Sequence, residues 1–331
     1  MLTLAVIIII VALVYDFLNG MNDAANSIAT IVSTRVLSPR MAVIWAAFFN
    51  FAAIFVFGLS VANTIGKGIV VPEVVSQYTI LASLLGAGTW VLLCTLLGLP
   101  ISVSHALIGG LIGPALLVGG TGALVASGIF KILLFIVLSP IIGFVLGYFI
   151  MVGTLWVCRT LPPQKVDGFF RVMQLVSSAF FSLGHGGNDA QKTMGIMAMS
   201  LYAAGLTAEF HVPFWVVISA YSAIALGTLI GGQKVIKTLG VGLTDLKPMG
   251  GFSAETAGAL TLAGTAVLGI PVSTTHTITG AIMGVGVTRR LSAIKWGTAL
   301  NIVAAWVLTI PFAALMAMLV YWIMSLVVQL A

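Results

Sequence analysis

Leu99-Pro100-Ile101-Ser102-Val103-Ser104-His105 is answered, about 171 residues later, by Ile270-Pro271-Val272-Ser273-Thr274-Thr275-His276. In each copy a proline removes a backbone donor and pushes the preceding residue out of helix. Small hydroxyl residues follow: Ser102 and Ser104 in the first copy, and Ser273, Thr274 and Thr275 in the second. Such residues are good N-caps for the apolar runs that come next. Each copy therefore reads as the tip of a helical hairpin, with backbone N–H groups, hydroxyls and a positive dipole end presented together.

A second element recurs in the same order. Asn19-Gly20-Met21-Asn22-Asp23-Ala24 returns as His185-Gly186-Gly187-Asn188-Asp189-Ala190, at an offset of about 166 residues. Two polar elements in matched order and at similar offsets mark an internal duplication.

The surroundings are membrane. The chain of 331 residues is 60% hydrophobic and 7% charged, with a mean hydropathy of +1.19; soluble domains carry about 25% charged residues. At about 20 residues per spanning helix there is room for roughly ten membrane segments and no separate soluble domain. The unbroken apolar runs exclude a β-barrel, whose strands alternate polar and apolar residues. The net charge of +6 is explained by loop placement, and no nucleic-acid partner is expected. Cys94 and Cys158 lack metal-ligand spacing and read as unpaired packing residues. Met1 to Val14 has no basic leader and no cleavage site, so it reads as the start of a membrane helix.

Basic residues orient the two copies. The turn after the first Asn-Asp segment holds Arg35 and Arg40, whereas its counterpart holds Glu209 and His211. The loop with Lys67 against Glu73 corresponds to one with Lys234, Lys237 and Lys247 against Asp245. The first hairpin returns to an uncharged turn at Gly119 to Gly122, the second to Arg289, Arg290 and Lys295. Cytoplasmic loops are rich in Lys and Arg, so equivalent loops lie on opposite sides of the membrane. The expected fold is an all-α polytopic membrane protein: an inverted-topology repeat with two re-entrant helical hairpins and two broken helices, a plan frequent among secondary transporters.

In this reading the first repeat is 1–156, with broken helix 1–35, helix 41–61, hairpin 79–118 and helix 124–156. A cytoplasmic connector, 157–171, carries Arg159, Lys165 and Arg171. The second repeat is 172–331, with broken helix 172–205, helix 213–232, hairpin 252–288 and helix 296–328. Both termini are then extracellular and the hairpin tips meet near the midplane. Trp156, Trp215, Trp296 and Trp322 fall near the interfaces. A symmetric dimer is the default oligomer.

Irregular backbone at this depth must be buried or line a cavity, so two such tips read as an anion cradle. Asp23 and Asp189 stand in apolar stretches, where a carboxylate is expensive and functional. Gly20, Gly184, Gly186 and Gly187 supply the flexibility of the two breaks. Asn22, Asn26, Ser27 and Asn188 add the oxygens a sodium ion prefers, while a lone carboxylate also suits a proton. A co-bound cation would relieve the repulsion between these carboxylates and an anion. Asp16, seven residues before Asp23, either lines the same cavity or caps a neighbouring turn. His105 and His276 either touch substrate or proton, or buttress the tips. His185, where the first copy has Asn19, reads as a structural polar group. Glu255 is expected in an ion pair with a basic neighbour, and Lys67 and Lys131 read as interfacial charges.

These motifs resemble those of the inorganic phosphate transporter (Pit) family of bacterial or archaeal type. Gly20-Met21-Asn22-Asp23-Ala24-Ala25-Asn26-Ser27 is similar to the family signature Gly-x-Asn-Asp-Val-Ala-Asn-Ser. His185 to Gly195 and the Pro-Val-Ser-Thr-Thr-His element match as well, and the likeness covers essentially the whole chain. The resemblance implies a cation-coupled phosphate symporter of the cell membrane, with alternating access and no cofactor beyond a coupling sodium ion or proton. By that resemblance phosphate contacts fall to Ser102, Val103, Ser104, Ser273, Thr274, Thr275, Asn22, Asn188 and Gln191. Asp23, Asn26 and Asp189 take the coupling cation, with Asp23 and Asp189 as sodium ligands if the ion is sodium. The chain lacks the long cytoplasmic insertion of eukaryotic members.

One departure stands out: Asn26 in the first copy is matched by Lys192 in the second. Its charge either replaces one cation or pairs with Asp189, which favours proton coupling and opens the way to a metal–phosphate substrate. Sulfate is the alternative cargo, although the acceptors Asp23 and Asp189 favour an anion that can itself donate a hydrogen bond. An intramembrane hydrolase is a minor alternative. Ser104-His105 and Thr275-His276 are adjacent, which is poor geometry for a nucleophile and its base, and the G-x-S-x-G elbow is absent. A divalent-metal channel lacks clustered ligands.

Overall fold

The computed structural model describes residues 2–71, 74–231, 234–236 and 243–328. Glu73, Lys237 and Gly232, which enter the expectations above, lie outside the described residues. Apart from short 3-10 turns and an isolated bridge between Val70 and Leu124, the described secondary structure is α-helical. The helices are α1 (Leu2–Ser33), α2 (Pro39–Ala52), α3 (Ser60–Lys67), α4 (Gln77–Leu97), α5 (Val103–Gly119) and α6 (Ala126–Val157). They continue with α7 (Pro163–Ala203), α8 (Phe214–Ile230), α9 (Pro248–Val267), α10 (Thr274–Val287) and α11 (Trp296–Val328).

Among the described residues five helices are long and apolar enough to cross a membrane, and a sixth span follows if the bent pair Pro39–Phe55 and Ser60–Lys67 counts as one. The outer faces of α6 and α11 are apolar and exposed, with Phe130, Val137, Phe149, Leu308, Leu315 and Leu319 turned outward. A water-facing surface of that kind would be untenable; a lipid-facing one is ordinary. The protein is a multi-pass membrane protein.

Two expectations about the helices are corrected. The Asn-Asp segments are not breaks: α1 runs unbroken for 32 residues through Asn22 and Asp23, and α7 for 41 residues through Asn188 and Asp189. The nearby glycines serve close approach instead of a bend. A Cβ on Gly20 would strike the carbonyl of Ile224 in α8, and one on Gly227 of α8 would strike the carbonyl of Phe17 in α1. Likewise Gly186 lies against the backbone of Asn50, and Gly187 against the Phe57 ring.

The helix expected at 41–61 is instead broken. α2 ends in a 3-10 turn at Ala53–Phe55, and α3 leaves at 84° to it. The first N–H groups of α3 would be orphaned by that bend. Val61 and Ala62 donate them to the Gln191 side chain, at 3.0 and 3.3 Å. The connector is also shorter than expected, because α6 ends at Val157 and α7 starts at Pro163. Arg171, on α7, pairs with Asp167 at 3.1 Å and donates to the carbonyl of Arg35, so the two basic segments share one end of the bundle.

Each half of the chain packs on the other in a matched way. The second arm of the first hairpin, α5, lies on α11; the second arm of the other hairpin, α10, lies on α6. Both contacts use glycines four residues apart, Gly109 and Gly113 in α5 and Gly280 and Gly284 in α10. A Cβ at any of them would meet a backbone carbonyl of the facing helix. Small residues at this spacing let membrane helices approach closely. Similarly α1 packs on α8, and α7 on α2 and α3.

Candidate functional site

The two hairpin tips have the same local construction. Ser102 caps α5 and accepts from the His105 N–H at 3.2 Å; Ser273 caps α10 and accepts from the His276 N–H at 3.2 Å. The tips then reach across to each other. The Ser104 hydroxyl donates to the Val272 carbonyl at 3.4 Å, and the Thr275 hydroxyl donates to the Ile101 carbonyl at 3.1 Å. Behind them the His105 and His276 rings meet edge to face at 4.5 Å. Trp306 stacks on His276 at 3.7 Å, and its indole N–H donates to the Pro100 carbonyl. His276 Nδ1 also lies 3.3 Å from the Ile136 carbonyl, while His105 Nδ1 and His276 Nε2 have no hydrogen-bond partner.

The middles of α1 and α7 close the other side. The Asn26 amide donates to Thr274 and Thr275 at 3.1 and 2.9 Å, and the Asn22 amide to Thr95 at 2.7 Å. The Thr274 hydroxyl stands between the two carboxylates, 3.2 Å from Asp23 Oδ2 and 3.3 Å from Asp189 Oδ2. A hydroxyl has one proton to give, so it serves one carboxylate at a time. Lys192 Nζ donates to Asp189 Oδ1, to Ser104 Oγ at 2.5 Å and to the Val272 carbonyl at 2.8 Å. Direct pairing with Asp189, one of the two roles the sequence left open for Lys192, is thus present, and it is compatible with the other. None of these side chains is more than 6% exposed, so the cluster is closed from both ends of the bundle.

Several buried polar atoms of the two Asn-Asp segments have no partner: Asp23 Oδ1, Asn22 Oδ1 and both side-chain polar atoms of Asn188. Buried polar groups are nearly always satisfied, and a group of exceptions calls for an absent ligand or water. Asp23, His185 and Asp189 offer ligand atoms that all lie within 4.8 Å of one another. His185 Nε2 is 3.3 Å from Asp189 Oδ2, and its Nδ1 is 3.0 Å from Asn50 Oδ1. With both His185 ring nitrogens thus facing oxygen, the remaining donors are the two carboxylates and the hydroxyls and carbonyls beside them, oxygens that suit a small hard cation.

Other candidates stand apart. Gln191 caps α3 and donates to the Gly187 carbonyl, so its amide is engaged in the scaffold. Val103 presents its carbonyl to the Tyr15 hydroxyl at 2.7 Å. Asp16 accepts from Thr193 at 3.0 Å and makes no bond to either tip. The carbonyls of Ile101 and Val272, the Thr95 hydroxyl and the Asn50–His185 relay escaped the sequence reading. Ile101 and Val272 act through backbone, which no side-chain pattern reveals; Thr95 carries no signal among the many hydroxyls of membrane helices.

Glu255 overturns its expected ion pair. Its carboxylate accepts from Thr30 at 2.6 Å, Gln174 at 3.0 Å and Ser177 at 2.5 Å, with no basic side chain among these partners. Neutral donors from α1 and α7 thus solvate it. Glu255→Leu would leave the Thr30 hydroxyl and the Gln174 amide unpaired, at about 1–3 kcal/mol each, while Ser177 keeps the Gln174 carbonyl at 3.2 Å; Glu255→Gln keeps an acceptor for all three. Thermal unfolding in detergent should therefore rank wild type above Glu255→Gln and that above Glu255→Leu; equal midpoints would contradict this account.

Residues 19–317 match the pattern described as the phosphate transporter family. The chain is 56% identical to the "Probable low-affinity inorganic phosphate transporter" of Rhizobium meliloti, over 97% of this chain and 96% of that one. It is 42% identical to the protein of the same name in Bacillus subtilis, over 99% of each. A solved structure titled "The sodium-dependent phosphate transporter" superposes with a TM-score of 0.87 at 29% identity, covering 98% of this chain and 99% of that one. The family and these relatives are transporters, not enzymes, which removes the hydrolase reading. The chain belongs to the phosphate transporter family.

Proposed function

We propose that this phosphate transporter is a cation-coupled symporter of the cell membrane, working by alternating access at the cluster where both tips meet α1 and α7. The observation that carries the proposal is the Thr274 hydroxyl lodged between Asp23 and Asp189, with Asp23 Oδ1 and the Asn188 amide unpartnered beside it. Two carboxylates that close repel an anion unless positive charge joins them, so phosphate and cation bind together or hardly at all. In this reading Asp23 and Asn26 meet the cation, with Asp189 held by Lys192. The hydroxyls of Ser104, Thr274 and Thr275 and the amide of Asn188 face the phosphate.

The same proposal takes the chain as an inverted repeat with re-entrant hairpins and extracellular termini. The swapped packing of α5 on α11 and α10 on α6 supports the repeat. The meeting of Arg35 with Arg171 supports a shared cytoplasmic end. Rocking one group of helices against the rest would open the closed cluster to each side in turn. Phosphate is favoured over sulfate because the unpartnered Asn188 Oδ1 can accept the hydrogen bond that only a protonated phosphate donates.

Purified protein in liposomes tests this reading with labelled phosphate under imposed sodium and proton gradients. Phosphate should accumulate above its external concentration only under an inward cation gradient, and a large excess of sulfate should leave uptake unchanged. Simple equilibration with either gradient, or full competition by sulfate, would sink the corresponding part of the proposal.

A further inference from the structure

The duplication allows the two sides of the cluster to be compared atom by atom. Lys192 Nζ has three N–H donors, and all three meet oxygen: Asp189 Oδ1, Ser104 Oγ and the Val272 carbonyl. A carboxylate, a hydroxyl and a backbone carbonyl are also the oxygens that would hold a small hard cation. In the repeat, Asp189 corresponds to Asp23, Ser104 to Thr275 and Val272 to Ile101. The correspondence survives in the structure, since Thr275 donates to the Ile101 carbonyl as Ser104 donates to that of Val272. Only the fourth member differs. Where Lys192 brings an ammonium, Asn26 brings a neutral amide, which donates to Thr274 and Thr275. On that side Asp23 Oδ1 is buried and has no partner.

We infer that the Lys192 ammonium permanently occupies one of two symmetry-matched cation positions, leaving the Asp23 side as the single position for a mobile cation. Lys192 is thus a specificity-determining residue that lowers the number of cations carried per phosphate by one. Charge counting agrees. Asp23, Asp189 and Lys192 together carry one excess negative charge, which one mobile cation neutralises. With Lys192→Asn the same centre carries two, and the vacated oxygens form a second position. Asp16 and His185 are common to both forms and cancel in the difference. A tethered ammonium also joins α7 to both tips at once, since Ser104 belongs to one hairpin and Val272 to the other. A mobile cation there would leave that junction each time it was released.

The inference rests on reading this cluster as the coupling site, so its test uses no phosphate and no transport. Binding of radioactive sodium to the purified protein is counted at saturation, with choline chloride holding ionic strength constant. Lys192→Asn should bind one more sodium ion per chain than wild type, and Lys192→Arg, which keeps the charge, should bind no more than wild type. Wild type should bind at most one, and Asp23→Asn should abolish it. Equal binding by Lys192→Asn and wild type overturns the inference. If Lys192→Asn does not fold, wild type decides alone: two sodium ions per chain overturn it equally. Failure of phosphate uptake would leave this count unaffected, so the two readings fail separately.

Discussion

Asp23→Asn and Asp189→Asn should each reduce gradient-driven phosphate uptake to that of protein-free liposomes, but only the second should also weaken the fold. Both carboxylates are buried at the junction of the tips, and Thr274 reaches both. Asparagine is nearly isosteric and still accepts from Thr274, so what it removes is the charge. Among the described residues no basic side chain forms an ion pair with Asp23, since Lys192 pairs with Asp189 instead, and folded protein should be recovered in wild-type amounts. At Asp189 the Lys192 ammonium loses its counter-ion. Breaking a buried pair by removing one partner costs about 3–5 kcal/mol, so Asp189→Asn should melt well below wild type. Uptake and thermal unfolding, measured on the same preparations, check both halves. Wild-type uptake by Asp23→Asn at equal protein would remove it from the coupling site, and wild-type melting of Asp189→Asn would remove the ion pair.

The second large effect is structural. Gly20→Ala should destabilise the protein, and Gly227→Leu should leave little that is folded. Each glycine lies against a backbone carbonyl of the facing helix, Ile224 for Gly20 and Phe17 for Gly227, and a carbonyl cannot turn aside as a side chain can. Overpacking of this kind costs about 1–3 kcal/mol for a small addition. Leucine at the same crossing forces α1 and α8 apart along their whole contact. Asp23 is one turn from Gly20 on α1, so even a folded Gly20→Ala should transport poorly. Gly153, in α6, has open space where a methyl group would project, and Gly153→Ala should be neutral or gain up to about 1 kcal/mol of helix propensity. Fluorescence-detected size exclusion and thermal unfolding of the three variants check this. A Gly20→Ala protein as stable as wild type would show that the crossing is looser than described.

The same glycines show where sequence reading ran short. Gly20 and Gly186 beside an Asn-Asp pair read as flexible points in broken helices, yet both helices run through. Glycine permits a bend and also permits contact, and the local sequence does not distinguish the two uses. What decides is the helix on the other side: α8 for Gly20, and α2 for Gly186. Gln191 shows a related effect. Its place in the signature suggested substrate contact, but the 84° turn between α2 and α3 left backbone donors for it to cap. Glu255 was read with a basic partner because charge in a membrane demands compensation; three neutral donors from two other helices supply it.

Composition, the duplicated tips and the buried carboxylates determined by themselves that this is an all-helical membrane protein with paired hairpins. They also singled out Ser104, Thr274, Thr275, Asp23 and Asp189, which the structure brings together. Those conclusions follow from residue chemistry in an apolar medium, where each proline, hydroxyl or carboxylate is costly wherever it lies. Tertiary structure alone decided which partner each group meets. Lys192 lies three residues from Asp189, so their pairing could be imagined from sequence. That the same ammonium also binds Ser104 and the Val272 carbonyl, each at least 80 residues away, could not. Partner choice among distant groups depends on how helices pack, and that packing is set by the whole chain at once.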